Sequence, residues 1–420
     1  MSLQRVFLVE GIRTPFQLSG TGYKDLSAYH LASLVLKKLI DKVDIPKVDN
    51  VIFGNVIQDS KTSNISREAC LLSGLDVTVP AHTVTMACIS SNKAITDCVN
   101  ELRLNNTHVS IAGGVETMSD LPIKVSKPMR KILFESRKWK NVQDTLSGIS
   151  KFNLMDLGIE IPSISEFSTN ETMGYSADKL THIWNVSRKD QDEFALRSHR
   201  LASKASLQNK LSDVVTVNVP EIIKLDNLIK HDSSFEKLST LKPVFIKNFG
   251  NITAGNSSSL TDGASACLLV NEDGINQYGL SPKCEIIDYI YYGTQPSNEL
   301  LLGPAYATSK LLNKHNLKKD DIDIFEIHEA FAGQVLANLN ALASEKFSEK
   351  NNFKTIGEIP IEKINNWGGS LSLGHPFGAT GVRLISMASN RLSECDGTYG
   401  LITACAAGGL GHAMLIKNYK

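Results

Sequence analysis

Two periods of hydrophobicity alternate along this chain. Short apolar runs, "RVFLVEG", "VDNVIFGNVI", "HTVTM" and "HVSIAGGV", predict strands, while "HLASLVLKKLIDKV" sets Leu31, Leu34, Val35 and Leu39 at helical spacing. Strand and helix follow one another through the first 120 residues. That order predicts an α/β fold with a parallel, helix-covered sheet.

The same plan recurs late in the chain. "TSKLLNKHNLKKDDIDIFEI" repeats the helix and strand of "HLASLVLKKLIDKVDIPKVDNVIF", and "YGLITACAAGG" answers "HVSIAGG". "GSLSLGHPFGATGVRLISMASNRL" predicts a strand, a tight turn and a helix, in the place that "HTVTMACISSNKAITDCVNEL" holds earlier. Two similar α/β halves are expected, with Cys88 and His375 at equivalent strand-to-helix turns. The alternative is coincidence between two generic α/β stretches. The first half takes residues 1–120 and 251–275, the second 276–420. Residues 121–250 are richer in Lys, Ser and Asn, lack the alternation, and predict an inserted loop or lid domain. Within it "SRKDQDEFALRSHRLASKAS" predicts a charged surface helix.

Composition narrows the classes. A chain of 420 residues suits two or three domains. A formal net charge of zero gives no surface for nucleic acid. No run of eighteen apolar residues is present, so no transmembrane helix is expected. "MSLQRVFLVEGIRTPF" enters a strand-like run almost at once, with no visible targeting segment. A bacterial cytoplasm is expected, or the mitochondrial matrix and inner-membrane side for a processed organellar chain. The seven cysteines form no C-x-x-C pair and read as reduced thiols.

Four stretches put a reactive side chain at a turn. "TMACISS" carries Cys88, "EIHEAFAG" carries His328 and Glu329, "GGSLSLGHPFGATG" carries His375, and "TACAAGGLGHAM" carries Cys405. A cysteine at a helix start meets free backbone N–H groups and the positive dipole end, which favour the thiolate. A histidine at a strand end titrates near working pH, and a second thiol can act as acid and base. Each also has a structural reading: Cys88 and Cys405 as buried fillers, His375 as a packed loop residue, His328 as a helix cap. Ligands of α/β sheets gather at the strand carboxyl ends, where all four stretches fall. No Cys or His pair has metal-ligand spacing, and no metal is expected.

Together "ACISS", "TAGNSSSLTDGASA", "HEAFAG", "NNWGGSLSLGHPFGATG" and "CAAGGLGHAM" resemble the thiolase family over essentially the whole chain. "HEAF", "EFSTNETMGYSADKL" and the basic insertion are most similar to the branch formed by β subunits of the trifunctional fatty-acid oxidation enzyme and their bacterial counterparts. The resemblance implies a layered α/β/α/β/α fold and a 3-ketoacyl-CoA thiolase with coenzyme A as substrate and no metal or redox cofactor. It implies that Cys88 is the acyl-accepting nucleophile, His375 its base and thioester-oxygen donor, and Cys405 the acid/base at the acetyl-CoA carbon. His328 would orient a water in one oxyanion hole, and the N–H groups of Cys88 and Ala407 would form the other. Ala254 and Ser258 match the pantetheine wall, and Met173 and Phe331 the apolar lining near the thioester. Thr172 stands where many short-chain members have histidine.

A biosynthetic acetoacetyl-CoA thiolase is the near alternative. A non-catalytic lipid or CoA carrier is the remote one, and it predicts loss of a cysteine or histidine that is present here. Implied partners are acyl-CoA and coenzyme A, a homodimer mate, and a hydratase/dehydrogenase α subunit in an α2β2 or larger complex. The segment 124–163 sets Lys124, Lys127, Arg130, Lys131, Arg137, Lys138, Lys140 and Lys151 among Ile132, Leu133, Phe134, Trp139, Leu146, Ile149, Phe152 and Leu154. Peripheral membrane contact, subunit docking or a solvated lid all suit that pattern.

Overall fold

The computed structural model describes residues 3–150, 158–163, 165–219 and 221–419. Among them ten strands build one sheet. Nine lie in the order Ile324–Ile327, Tyr399–Ala406, Leu410–Asn418, Cys284–Gly293, Val6–Arg13, Thr261–Asn271, Val109–Glu116, Asn50–Gly54, Ala81–Val84, and Gln17–Leu18 pairs with Thr261–Asn271. A narrow seam joins the two halves, where Phe7 faces Glu285 and Leu8 faces Cys284.

Outward from that seam the halves repeat. In the first, Val6–Arg13 is antiparallel to Thr261–Asn271, which is antiparallel to Val109–Glu116, and Asn50–Gly54 then joins in parallel. In the second, Cys284–Gly293, Leu410–Asn418 and Tyr399–Ala406 follow the same antiparallel order, and Ile324–Ile327 joins in parallel. The two similar halves read from the sequence are therefore present. A purely parallel sheet is not. Gly408 and Gly409, both at positive φ, make a tight reversal between Tyr399–Ala406 and Leu410–Asn418, and that hairpin forces an antiparallel pair.

Period-two alternation within the strands sorts side chains into layers. Val6, Leu8, Ile52, Ala112 and Leu269 face inward. They meet Ile95, Val99 and Leu102 of the helix Ser90–Arg103 and Val382, Ile385 and Leu392 of the helix Thr380–Glu394. Ile324, Ile402, Met414 and Ile416 of the second half close on those helices from the opposite side. The alternate residues, Phe7, Val51, Phe53 and Leu268, face outward onto Leu31, Val35 and Leu39 of the helix Ala28–Val43. Phe325, Leu401 and Leu415 likewise pack on the helices Gly303–His315 and Ala332–Ala343. The result is the layered α/β/α/β/α architecture.

One expected strand is absent. "GSLSL" forms a buried single helical turn, Ser370–Leu373, closed by Leu373 N–H on the Gly369 carbonyl at 2.8 Å. Its Leu-x-Leu alternation mimics a strand because a turn buried on all sides carries apolar residues on every face. The counterpart of Ala81–Val84 shrinks to one parallel bridge, Phe325 to Ile364. The helix Arg188–Leu207 also departs from expectation. Its charged sequence hides a buried face of Phe194, Ala195, Ser198, His199 and Ala202.

The two halves approach closely behind the seam. A Cβ on Gly114 would fall within van der Waals contact of the Gly378 carbonyl, a backbone atom that cannot step aside. Gly114→Ala is therefore expected to destabilise the protein by about 1–3 kcal/mol. Gly293→Ala, where a Cβ meets open space, should stay within about 0.5 kcal/mol. Urea unfolding of both variants measures the difference.

Candidate active site

Cys88 stands on a strained turn. The strand Ala81–Val84 ends, Ala87 takes φ +45°, and the helix starts at Ser90. That φ lies in the left-handed region that a side chain disfavours. Ser90 holds the turn: its hydroxyl accepts from Met86 N–H at 2.8 Å and donates to the Ala87 carbonyl at 2.7 Å.

Cys88 itself is half-buried. Its thiol meets the backbone N–H of Ala407, just beyond the strand Tyr399–Ala406 that carries Cys405. Burial pushes the Cys88 thiol up to about 12, against the opposing pull of that N–H. The expectation of a thiolate favoured by the helix start is thus reversed in the resting protein. Desolvation of the charged form outweighs the pull of nearby N–H groups. Burial also raises Cys405, with a smaller push from Cys88, so two neutral thiols lie near one another.

The second half supplies two imidazoles. His328 follows the strand Ile324–Ile327, and its N–H donates to the Thr403 carbonyl at 2.9 Å, two residues before Cys405. His375 pairs beside Leu260, and its N–H donates to Thr261 Oγ1 at 3.0 Å. The two rings lie 4.1 Å apart between centroids. His375 Nδ1 is 2.6 Å from Thr380 Oγ1, and His328 Nδ1 is 2.9 Å from Ser370 Oγ. Each leaves a buried Nε2 with no protein partner. Burial drives His375 down to about 3 and His328 well below its ordinary value. Both are therefore neutral at pH 7.

Two residues that hold this arrangement were not singled out from sequence. Glu116, fully buried, accepts from Asn55 Nδ2 at 3.1 Å, Val56 N–H at 3.1 Å, Ile57 N–H at 3.0 Å and Gly378 N–H at 3.0 Å. Burial raises its carboxyl to about 8 against those donors. Arg383, also buried, reaches Ser370 Oγ at 2.8 Å and Glu326 Oε1 at 3.3 Å. The available signal for Arg383 was its place between Val382 and Leu384 on the buried side of the helix. Glu116, at the end of "HVSIAGGVE", carried none.

The remaining candidates fall into two groups. Met173 and Phe331 pack in one apolar cluster with Cys405, and Phe245 meets Phe331 edge-on at 6.3 Å. Ser257 bridges to Phe331 and Ser258 N–H donates to the Ala330 carbonyl at 2.9 Å, which lays "TAGNSSS" along "HEAF". Ala254 is exposed at the outer end of that segment. Glu329 is buried and structural: it accepts from Ser198 Oγ at 2.7 Å, Asn365 Nδ2 at 2.7 Å and Leu371 N–H at 3.2 Å. Thr172 caps the helix Met173–Ile183, its side chain accepting from Tyr175 N–H. Among the described residues no group of three or more His, Cys, Asp or Glu is placed to hold a metal ion.

Two thiols, two neutral imidazoles and an inward backbone N–H are the candidate groups of the site. Residues 6–273 match the thiolase N-terminal domain and residues 280–418 the thiolase C-terminal domain. The chain belongs to the thiolase family, whose members are acyltransferases. It is 52% identical over 424 residues to the human mitochondrial trifunctional enzyme subunit beta, covering 100% of this chain and 89% of that protein. It is 49% identical to a probable 3-ketoacyl-CoA thiolase of Caenorhabditis elegans, covering 100% and 95%. It superposes on human mitochondrial 3-ketoacyl-CoA thiolase in complex with CoA with a TM-score of 0.84, at 29% identity and full coverage of both chains.

The buried neutral histidines make stability depend on pH. Their folded values lie below the ordinary 6.5, so the unfolded chain binds protons that the folded one does not. The histidine contribution to unfolding free energy should therefore hold above about pH 6.5 and fall as pH drops toward 3, by about 1.4 kcal/mol per pH unit per histidine, while Glu116, raised to about 8, opposes it with the slope of one group between about pH 8 and 4.5. Urea titrations at pH 7.5 and 5.5 measure this slope, and His375→Asn should make it shallower. An unchanged slope would mean that His375 is charged in the folded protein.

Proposed function

We propose that this thiolase is a 3-ketoacyl-CoA thiolase of fatty-acid β-oxidation. The observation that carries the reading is the Cys88 thiol set against the Ala407 backbone N–H, with Cys405 one strand-end away. His375 Nε2 takes the Cys88 proton as the sulfur attacks the C3 carbonyl of a 3-ketoacyl-CoA. The N–H groups of Cys88 and Ala407 bind the oxyanion that forms. The C2–C3 bond then breaks, leaving its electron pair on C2 as the enolate of acetyl-CoA, and Cys405 gives that carbon its proton. The second oxyanion site, at His375 and a water oriented by His328, holds the enolate oxygen. Coenzyme A enters as the second substrate and gives its thiol proton to the Cys405 thiolate; its sulfur then removes the shortened acyl group from Cys88, whose sulfur takes back its proton from His375. Starting from neutral thiol and neutral imidazole, charge appears only as the substrate arrives. Preorganised donors then stabilise it in a dry site, typically by several kcal/mol. No step calls for a metal or redox group.

Met173 and Phe331 line the acyl end beside Cys405, and Ala254 and Ser258 flank the pantetheine arm. The division into residues 1–120 with 251–275, an insertion 121–250 and residues 276–420 accompanies this reading. Acyl-CoA should leave one acyl group on Cys88, and Cys88→Ser should show no such adduct by mass spectrometry. Cys405→Ser should still be acylated but lose exchange of the acetyl-CoA α-hydrogens with deuterium. An adduct on Cys88→Ser, or full exchange in Cys405→Ser, overturns the respective role.

We further propose a homodimer able to join a hydratase/dehydrogenase α subunit and to touch a membrane peripherally. Support comes from the named β-subunit relative and from the insertion's surface. Helices Lys127–Ser136 and Val142–Ser150 expose Leu133, Phe134, Val142 and Leu146 beside Lys127, Lys131, Arg137 and Lys138. Lys151, Phe152, Leu154 and the Ile149 side chain lie outside the described residues. Arg130 is already tied to Glu160 at 2.7 Å. Among the described residues no helix is long and apolar enough to cross a membrane. Flotation with anionic liposomes should occur at low salt and fail at high salt. Replacing Lys127, Lys131, Arg137 and Lys138 by Gln should abolish it with catalysis intact. Absence of both flotation and a co-purifying α subunit leaves the insertion as a lid.

A further inference from the structure

We propose that the protein holds its two active-site imidazoles in opposite tautomers, His328 as the Nε2–H form through Arg383 and Ser370, and His375 as the Nδ1–H form through Thr380. The inference rests on the acyl-transfer reading and assigns Ser370, Arg383 and Thr380 as positioning residues for it.

Donor accounting gives the first tautomer. A guanidinium has donors only, so Ser370 Oγ must accept from Arg383 Nη2 at 2.8 Å. The hydroxyl has one proton of its own. Among the described residues its remaining partner is His328 Nδ1 at 2.9 Å. If Nδ1 carried a hydrogen, the Ser370 proton would be buried with no acceptor, which is costly. His328 Nδ1 therefore accepts, and its proton sits on Nε2. That buried, unpartnered Nε2–H is a donor awaiting an oxygen.

The second tautomer runs the other way. Thr380 Oγ1 donates to the Pro376 carbonyl at 3.0 Å, one helical turn back. Its oxygen then accepts from His375 Nδ1–H at 2.6 Å. The one hydroxyl proton of Thr380 is spent on Pro376, so His375 Nδ1 has no proton to accept from it and carries its own. So His375 Nε2 presents a lone pair, the form a base needs, 4.1 Å ring to ring from a histidine that presents a hydrogen. Chemically alike side chains are thus given different roles by the hydroxyls behind them. Arg383 is anchored for this task by Glu326, which Arg391 holds from its other oxygen at 2.5 Å.

Two-bond proton–nitrogen correlation spectra of the whole protein labelled with 15N-histidine at neutral pH read both tautomers directly. His328→Asn and His375→Asn each remove one ring and assign the signals. The expected result is a bare Nδ1 in His328 and a bare Nε2 in His375. The same tautomer in both rings overturns the proposal. Ser370→Ala should turn the His328 pattern into a mixture and lower kcat about tenfold to a hundredfold, with KM within about twofold. Native spectra with native kcat, or a lost kcat with an unchanged His328 pattern, would remove Ser370 from the positioning role. The native spectra need no turnover, so a protein that forms no acyl-Cys88 yet shows opposite tautomers would sink the acyl-transfer reading and spare this one.

Discussion

The site depends on one buried carboxyl group. Glu116 ends a strand of the first half, and its two oxygens accept four N–H groups, three from residues 55–57 and one from Gly378 of the second half. Around it, Gly114 meets the Gly378 carbonyl, Gly54 meets the backbone at Ser90, and Gly381 meets Asn92 at distances that leave no room for a side chain. The Cys88 turn and the His375 turn are pressed together there. Two pseudo-equivalent halves can share a site only because both give up side chains where they touch. A charged or strongly dipolar group then satisfies the backbone that this closeness strands.

That closeness dries the site, and dryness sets its resting chemistry. Burial raises both thiols and lowers both imidazoles, so the neutral form of each is favoured. In the proposed mechanism, a nucleophile stored as a thiol resists stray oxidation and alkylation better than a stored thiolate. Its activation is tied to the arrival of a substrate oxygen that can take up the donors facing it. The strained Ala87 backbone belongs to the same design: it turns the chain so that Cys88 faces the Ala407 N–H before the helix begins.

The middle of the chain is bound into this core at chosen points. Ser198, on the helix Arg188–Leu207, donates to Glu329, and Glu329 braces the turn Ser370–Leu373 that ends at the His375 loop. Arg13 pairs with Asp213 and Asp226, wholly buried, and pins residues 213–226 to the first strand. Ahead of these anchors in the chain the helices Lys127–Ser136 and Val142–Ser150 stand outside the core, with no buried residue in the first. Regions with few buried contacts are the ones free to meet partners.

The sequence by itself determined the layers and marked the candidate residues. Period-two runs such as Val6–Arg13 and period-3.6 runs such as Ala28–Val43 mark their buried faces locally, because burial of one face leaves its imprint on consecutive residues. Cys88, His328, His375 and Cys405 were legible because each sits in a glycine-rich or small-residue turn at a strand end. Strand direction was not legible, since pairing partners such as Val6–Arg13 and Thr261–Asn271 lie some 250 residues apart and either polarity buries the same faces. "GSLSL" misled because a fully buried turn has no periodicity to read. Protonation was decided only by tertiary structure: whether Cys88 is thiol or thiolate, and which nitrogen of each histidine holds the hydrogen. Those depend on desolvation and on hydroxyls and carbonyls brought from other elements, quantities that no local stretch of sequence contains.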